Sequence, residues 1–180
     1  MKRKIILTAF AATSLIFSST QAFALINFSA GIPFSHTITG KDTDGSEIDS
    51  DSVSGIFIQV GVPIFPGVGM DNYKTKLDTV DLATMIYNLY YLLPIPVINL
   101  TLGVGAGSTE LQCDACSTYF AKGSATQWYA SFGMPIIPLF DLHLSYRSVS
   151  TKIKYKAGSN LGKEIDLSGN VMGLGIGFNF

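Results

Sequence analysis

Three groups of residues have the types and spacing to carry chemistry. His143 and Ser145 are two apart. On an extended strand residues i and i+2 share a face, so the imidazole could take the hydroxyl proton of a serine beside it. A base of this kind needs a third group to orient it, and the next acid along the chain is Glu164. Cys113 and Cys116 are the only two cysteines. In an oxidising compartment a local disulfide is their favoured fate. A redox-active pair would belong to a helix in a thioredoxin-like unit, and a structural zinc site wants four ligands; the surroundings supply neither. Asp42, Asp44, Glu47, Asp49 and Asp51 crowd carboxylates into one stretch that could bind calcium. Their spacing departs from the EF-hand, whose glycine follows a third acidic position, and a solvated surface loop is the expected reading. No cofactor motif is present.

The elements that hold these groups are strands, because apolar and small or polar residues alternate with period two along the chain. Ile26, Phe28, Ala30, Ile32 and Phe34 oppose Asn27, Ser29, Gly31, Pro33 and Ser35. Ile56, Ile58, Val60, Val62 and Ile64 oppose Gly55, Gln59 and Gly61, with Phe57 the exception. The same alternation runs through 98–107, 127–134, 140–147 and 172–180. Two further strands, 68–77 and 81–93, are less regular; in the second, Met85, Tyr87, Leu89 and Tyr91 form the face expected to meet lipid. Eight strands of about 10 residues follow, the length that crosses a bilayer when tilted.

Connections come in two kinds that alternate. Three are short and proline-rich, at 63–67, 94–96 and 135–138, since proline lacks the donor a ladder needs. Those at 39–52, 109–124 and 152–164 are longer and polar, with a tight one at Asp78-Thr79. Three short turns on one rim and four loops on the other describe an up-and-down barrel with both termini on the short-turn side.

Charged residues make up only 14% of the chain, against roughly 25% in soluble domains, so much of the surface does not face water. No apolar run of about 20 residues follows the N-terminus, and without helices a membrane protein must close a barrel that pairs every backbone group. Residues 1–24 read as an export signal: Lys2, Arg3 and Lys4, an apolar stretch at 5–17, and the cleavage site Ala22-Phe23-Ala24. No cysteine follows that site, which argues against a lipoprotein anchor. Without its three basic residues the chain carries nine basic and thirteen acidic residues, a net of −4. No clustered basic surface of the kind nucleic acid requires is present.

The expected architecture is therefore all-β: an eight-stranded antiparallel transmembrane barrel over 25–180. A soluble ligand-binding barrel would turn its apolar face inward. Here the second face is rich in glycine, serine and asparagine, suited to a crowded lumen, and Phe34, Trp128, Tyr146 and Phe180 lie where an interfacial girdle would be. Asp141, His143 and Arg147 would then project inward with Asn27, Gln59, Gln127 and Tyr129. Buried charge needs a partner, and Asp141 or Asp71 could serve Arg147.

The final strand, ending Phe178-Asn179-Phe180, resembles the end signature of outer-membrane barrels, and that resemblance implies recognition by the barrel-assembly machinery. The whole chain after residue 24 resembles the small eight-stranded outer-membrane proteins, the class of OmpX, the OmpA barrel and OmpW. The segment 62–68, with Asp81-Leu82 and Asn88-Leu89-Tyr90-Tyr91, is closer to a family known only as outer membrane beta-barrel proteins. The resemblance implies location and fold, with lipid and lipopolysaccharide as surroundings; Lys152, Lys154, Lys156 and Lys163 could meet lipopolysaccharide phosphates. Outer-membrane lipid A deacylases also carry His and Ser two apart, but the Asn that follows their Ser is Tyr146 here. A non-enzymatic barrel with a filled lumen and a structural or surface role is expected first, a narrow pore second, a lipid-modifying hydrolase third.

Overall fold

The computed structural model describes residues 26–93, 95, 98–137 and 139–179; the expected signal peptide and Phe180 lie outside them. Nine strands follow in order: β1 (Asn27–Ile38), β2 (Ser52–Gly61), β3 (Gly67–Leu77), β4 (Val80–Leu93), β5 (Asn99–Gln112), β6 (Gly123–Ile137), β7 (Phe140–Lys154), β8 (Glu164–Asp166) and β9 (Gly169–Asn179). One short helix, α1 (Cys116–Tyr119), lies between β5 and β6. Every strand of the wall pairs antiparallel with its neighbour, from β1 to β7, then β7 with β9, and β9 with β1. That last pairing closes an eight-stranded up-and-down barrel; β8 stands outside the wall, hairpinned on the end of β7.

Alternation decides which side chains face which medium. Ile32, Ile56, Tyr87, Leu89, Tyr91, Val104, Phe132 and Leu144 are exposed on the outer wall, while Asn27, Gln59, Asp71, Asn88, Gln127, Asp141 and Arg147 are buried within. Phe57 breaks the pattern of β2 because it belongs to the lumen: it packs with Tyr73, Ile86, Ala125, Val149 and Val171. Towards the long loops Leu77, Leu82, Ile153, Ile165 and Leu167 form a second apolar cluster across the lumen, joined by Ile38, Ile48, Leu111, Phe120 and Tyr155.

Several expected boundaries move. The register of β1 against β9 shifts between Pro33 and Ser35. That bulge turns His36, rather than Ser35, into the barrel, since one extra residue reverses every side chain beyond it. Residues 135–137, expected in a turn, belong to β6, which has an irregularity between Pro135 and Ile137 against β7. The loops at 109–124 and 152–164 are shorter than the sequence suggests, because β5, β6 and β7 run on beyond the strand ends that alternation marks. Asp78, at φ 50°, takes the left-handed conformation of the tight β3–β4 turn.

Glycines make room for the large lumen side chains. A Cβ on Gly103 would sit 2.2 Å from a ring carbon of Tyr129, and one on Gly67 2.3 Å from the ring of Tyr90. Tyr129 is fully enclosed, so its ring cannot simply swing aside. Gly103→Ala is expected to destabilise the barrel by about 1–3 kcal/mol through overpacking, read as a lower urea midpoint of the heat-modifiable folded band.

Candidate functional site

Among the described residues, buried charge, hydroxyls and imidazole converge in the polar lumen. At its centre Arg147 of β7 donates from Nε to Asp71 Oδ2 of β3 at 3.0 Å, with side chains 3% and 0% exposed. The two residues lie far apart in sequence and across the barrel. The guanidinium carbon stands 3.5 Å from the centroid of Phe57 and 5.1 Å from that of Tyr129, so ring faces cover the cation where it is not hydrogen-bonded. Nη1 donates to Ser145 Oγ. Gln127 Nε2 donates at 2.5 Å to both Asp71 Oδ2 and Asn88 Oδ1, and Gln59 Nε2 donates to the Tyr129 hydroxyl at 2.7 Å. Ser29 donates to Gln59 Oε1 at 3.0 Å.

A second knot closes the short-turn end. Asp141 Oδ2 accepts from Asn99 and, at 2.6 Å, from Asn179, whose Oδ1 accepts from Asn27 Nδ2 at 2.6 Å. Of the two acids open to Arg147 in the sequence, Asp71 is the partner; Asp141 serves the asparagines and lies 4.0 Å from His143 Nε2. The register explains the choice. Asp71 pairs with Ile86 and faces inward at the depth of Phe57, whereas Asp141 begins β7 beside Pro135.

His143 and Ser145 share the lumen face yet are engaged separately. Ser145 Oγ donates to the Gly173 carbonyl at 3.2 Å and accepts from Arg147. His143 Nδ1 is 3.4 Å from Ser131 Oγ. The space beside them, lined also by Gln59, Phe57 and Arg147, is about 20 Å³, room for one water and far short of an acyl chain. His36, which the alternation alone would have turned outward, bonds Thr75 Oγ1 at 2.6 Å and stands edge-on to Tyr73.

Outside the membrane, Cys113 and Cys116 are joined by a disulfide, S–S 2.01 Å, at the start of α1. Asp44 accepts from the amide and hydroxyl of Ser46 at 2.9 and 2.6 Å, and these bonds hold its carboxyl below the ordinary carboxylate range. Among the described residues no three acidic, histidine or cysteine side chains converge as a metal site would require. Lys152 and Lys154 approach Asp166 and Glu164 at 4.0 and 3.1 Å, and Lys156 donates to the Ser117 carbonyl. At the C-terminus the Phe178 ring packs 4.7 Å from Phe140 and 6.3 Å from Phe28.

No family model matches the chain, and no curated protein matches it in sequence. Solved structures do match its shape. Neisserial surface protein A superposes with a TM-score of 0.54 at 12% identity, over 86% of this chain and 96% of that one. The solution structure of Outer Membrane Protein W of E. coli superposes with a TM-score of 0.56 at 12% identity, over 88% of this chain and 100% of that one. The fold is that of the small outer-membrane barrels. With an apolar outer wall around a polar lumen, the chain has the fold of a transmembrane β-barrel.

Removing one partner of its buried ion pair should cost more than removing both. Asp71→Ala is expected to destabilise by about 3–5 kcal/mol, leaving Arg147 buried and unpaired. Asp71→Ala combined with Arg147→Met should recover much of that loss. A double-mutant cycle on urea midpoints measures the difference; equal losses for the single and double variants would show that the pair contributes nothing as a pair.

Proposed function

We propose that this outer-membrane barrel is a non-enzymatic surface protein: a closed scaffold, exported by residues 1–24, that holds a fixed set of loops on the outer face. The observation that carries the reading is that the lumen is obstructed at three depths. The asparagines around Asp141 close the short-turn mouth, Arg147 with Phe57 and Tyr129 fills the middle, and Leu77, Leu82, Ile153, Ile165 and Leu167 fill the outer end. A conducting pore would leave a continuous wet path, and an eight-stranded barrel is just narrow enough for side chains to fill.

The outer loops support display. Lys156 N–H donates to the Tyr119 carbonyl and Ala121 N–H to that of Lys154, tying the disulfide loop to the β7–β8 loop. The Phe120 and Tyr155 rings pack against each other, tilted, with centroids 4.7 Å apart, beside the outer apolar cluster. The first loop is held by Asp166 N–H on the Lys41 carbonyl and Thr39 N–H on that of Ser168, and Ile48 anchors it to the same cluster. Lipopolysaccharide is the surrounding that Lys152, Lys154, Lys156 and Lys163 would meet. Phe178 and Phe180 are the residues the assembly machinery would read.

Single-channel recording of the refolded chain lacking residues 1–24 tests the reading. A folded barrel, verified by heat-modifiable mobility, should give no discrete conductance steps; steady steps would move transport to the front. Incubation with lipid A should leave its acyl chains intact, and product that disappears with His143→Ala would establish the hydrolase instead.

A further inference from the structure

On three strands of the wall the outward apolar run stops short of the height of the membrane, whereas β4 carries five large outward apolar residues from Met85 to Leu93. On β7 the run comprises Phe140, Leu142, Leu144 and Tyr146 before Ser148 and Ser150; on β6, Met134, Phe132, Ala130 and Trp128 before Thr126 and Ser124. On β9 the described outward residues run from Phe178 to Met172, ahead of Asn170, and Phe180 is next in the alternation. Four outward residues are six steps along a strand, about 20 Å, and at a tilt of about 40° they rise only about 15 Å along the normal. The apolar band of such barrels is about 25 Å tall.

The further height is found at the short-turn rim, in the last residues of β6 and in the turns. Ile64, Phe65 and Ile136 are exposed by 75%, 66% and 65%, and Val62, Ile137 and Leu139 are exposed beside them. They continue the outer wall without a break: Val62 follows Val60 and Ile58 on the outward face of β2, and Ile137 pairs with Phe140. The segments 52–70, 82–109, 123–140 and 167–180 contain no Asp, Glu, Lys or Arg. Asp141, the charged residue at that end, is buried. Ile64 also has φ 76°, a left-handed conformation that a β-branched residue adopts only under strain and that Gly or Asn would take freely. The turn thus keeps a branched apolar side chain pointing out of the protein at a position suited to a smaller polar one.

We propose that the apolar side chains of the short-turn rim insert among the acyl chains of the inner leaflet, so that rim and strands together span the hydrocarbon. Phospholipid is the occupant because the rim extends the lipid-facing wall and offers no charge to an aqueous phase. The barrel accordingly sits low, its exposed charged groups gathered on the long-loop side and little of it projecting into the periplasm.

Trp128 is the only tryptophan, so Phe65→Trp or Ile137→Trp in a Trp128→Phe chain reports the rim alone. Each is refolded into phosphatidylcholine vesicles whose acyl chains carry bromine, with iodide available on both sides. Insertion gives blue-shifted emission, quenched several-fold more by bromine than by iodide. Emission like free tryptophan with iodide quenching overturns the proposal. So does emission that turns blue only as the protein-to-lipid ratio rises, which reports docking of a second copy. The unsubstituted chain gives an independent reading. It should fold most completely in bilayers with a hydrocarbon core of about 25 Å, and a maximum in markedly thinner bilayers overturns the proposal even if neither tryptophan variant folds.

Discussion

In a bilayer no water satisfies a free backbone group, so the sheet must have no edge. The pairing of β1 with β9, running from Asn27–Asn179 to Ile38–Gly169, meets that constraint, and the rest of the architecture depends on it. Closure fixes which face of every strand is enclosed and how much room the lumen has. It also brings the two ends of the chain together, which is why Asn27 and Asn179 can bond each other and close the short-turn mouth with Asp141.

A lumen this narrow must be filled by matching large side chains with small ones. Tyr129 lies over Gly103, Tyr90 over Gly67, and His143 approaches Gly133 and Gly177. The charged pair fits the same economy. Arg147 and Asp71 neutralise each other, Phe57 and Tyr129 cover the guanidinium, and Gln127 bridges to Asn88. A buried ion pair seldom adds net stability over apolar packing. The pair also belongs to one register: in the observed stagger of the strands the two side chains meet at 3.0 Å.

The two ends of the barrel meet different media. Long-loop residues are tied down by bonds between loops and by the outer apolar cluster. The opposite rim is apolar and proline-rich, with turns short enough to leave little backbone unpaired. Such a division suits a protein whose specificity lies on its outward surface and whose remaining surface is in contact with lipid.

Much of this was legible in the chain itself. Period-two alternation is a local property, so strand count, the lipid-facing side of Tyr87 and Tyr91, the inward placement of Gln59, Gln127 and Arg147, and the split between short and long connections could all be read from it. Pairing across the barrel is not local. That Arg147 takes Asp71 and leaves Asp141 to Asn99 and Asn179 follows from the stagger of strands remote in sequence. The bulge at Pro33–Ser35 that carries His36 inward, the extension of β5, β6 and β7 towards the long loops, and the β8 hairpin over the outer cluster likewise appear only once the sheet has closed. Sequence alternation determined which residues face lipid and which face the lumen. The tertiary structure decided which lumen residues touch, because contact across a closed sheet depends on its register, and residue order along a single strand does not encode that.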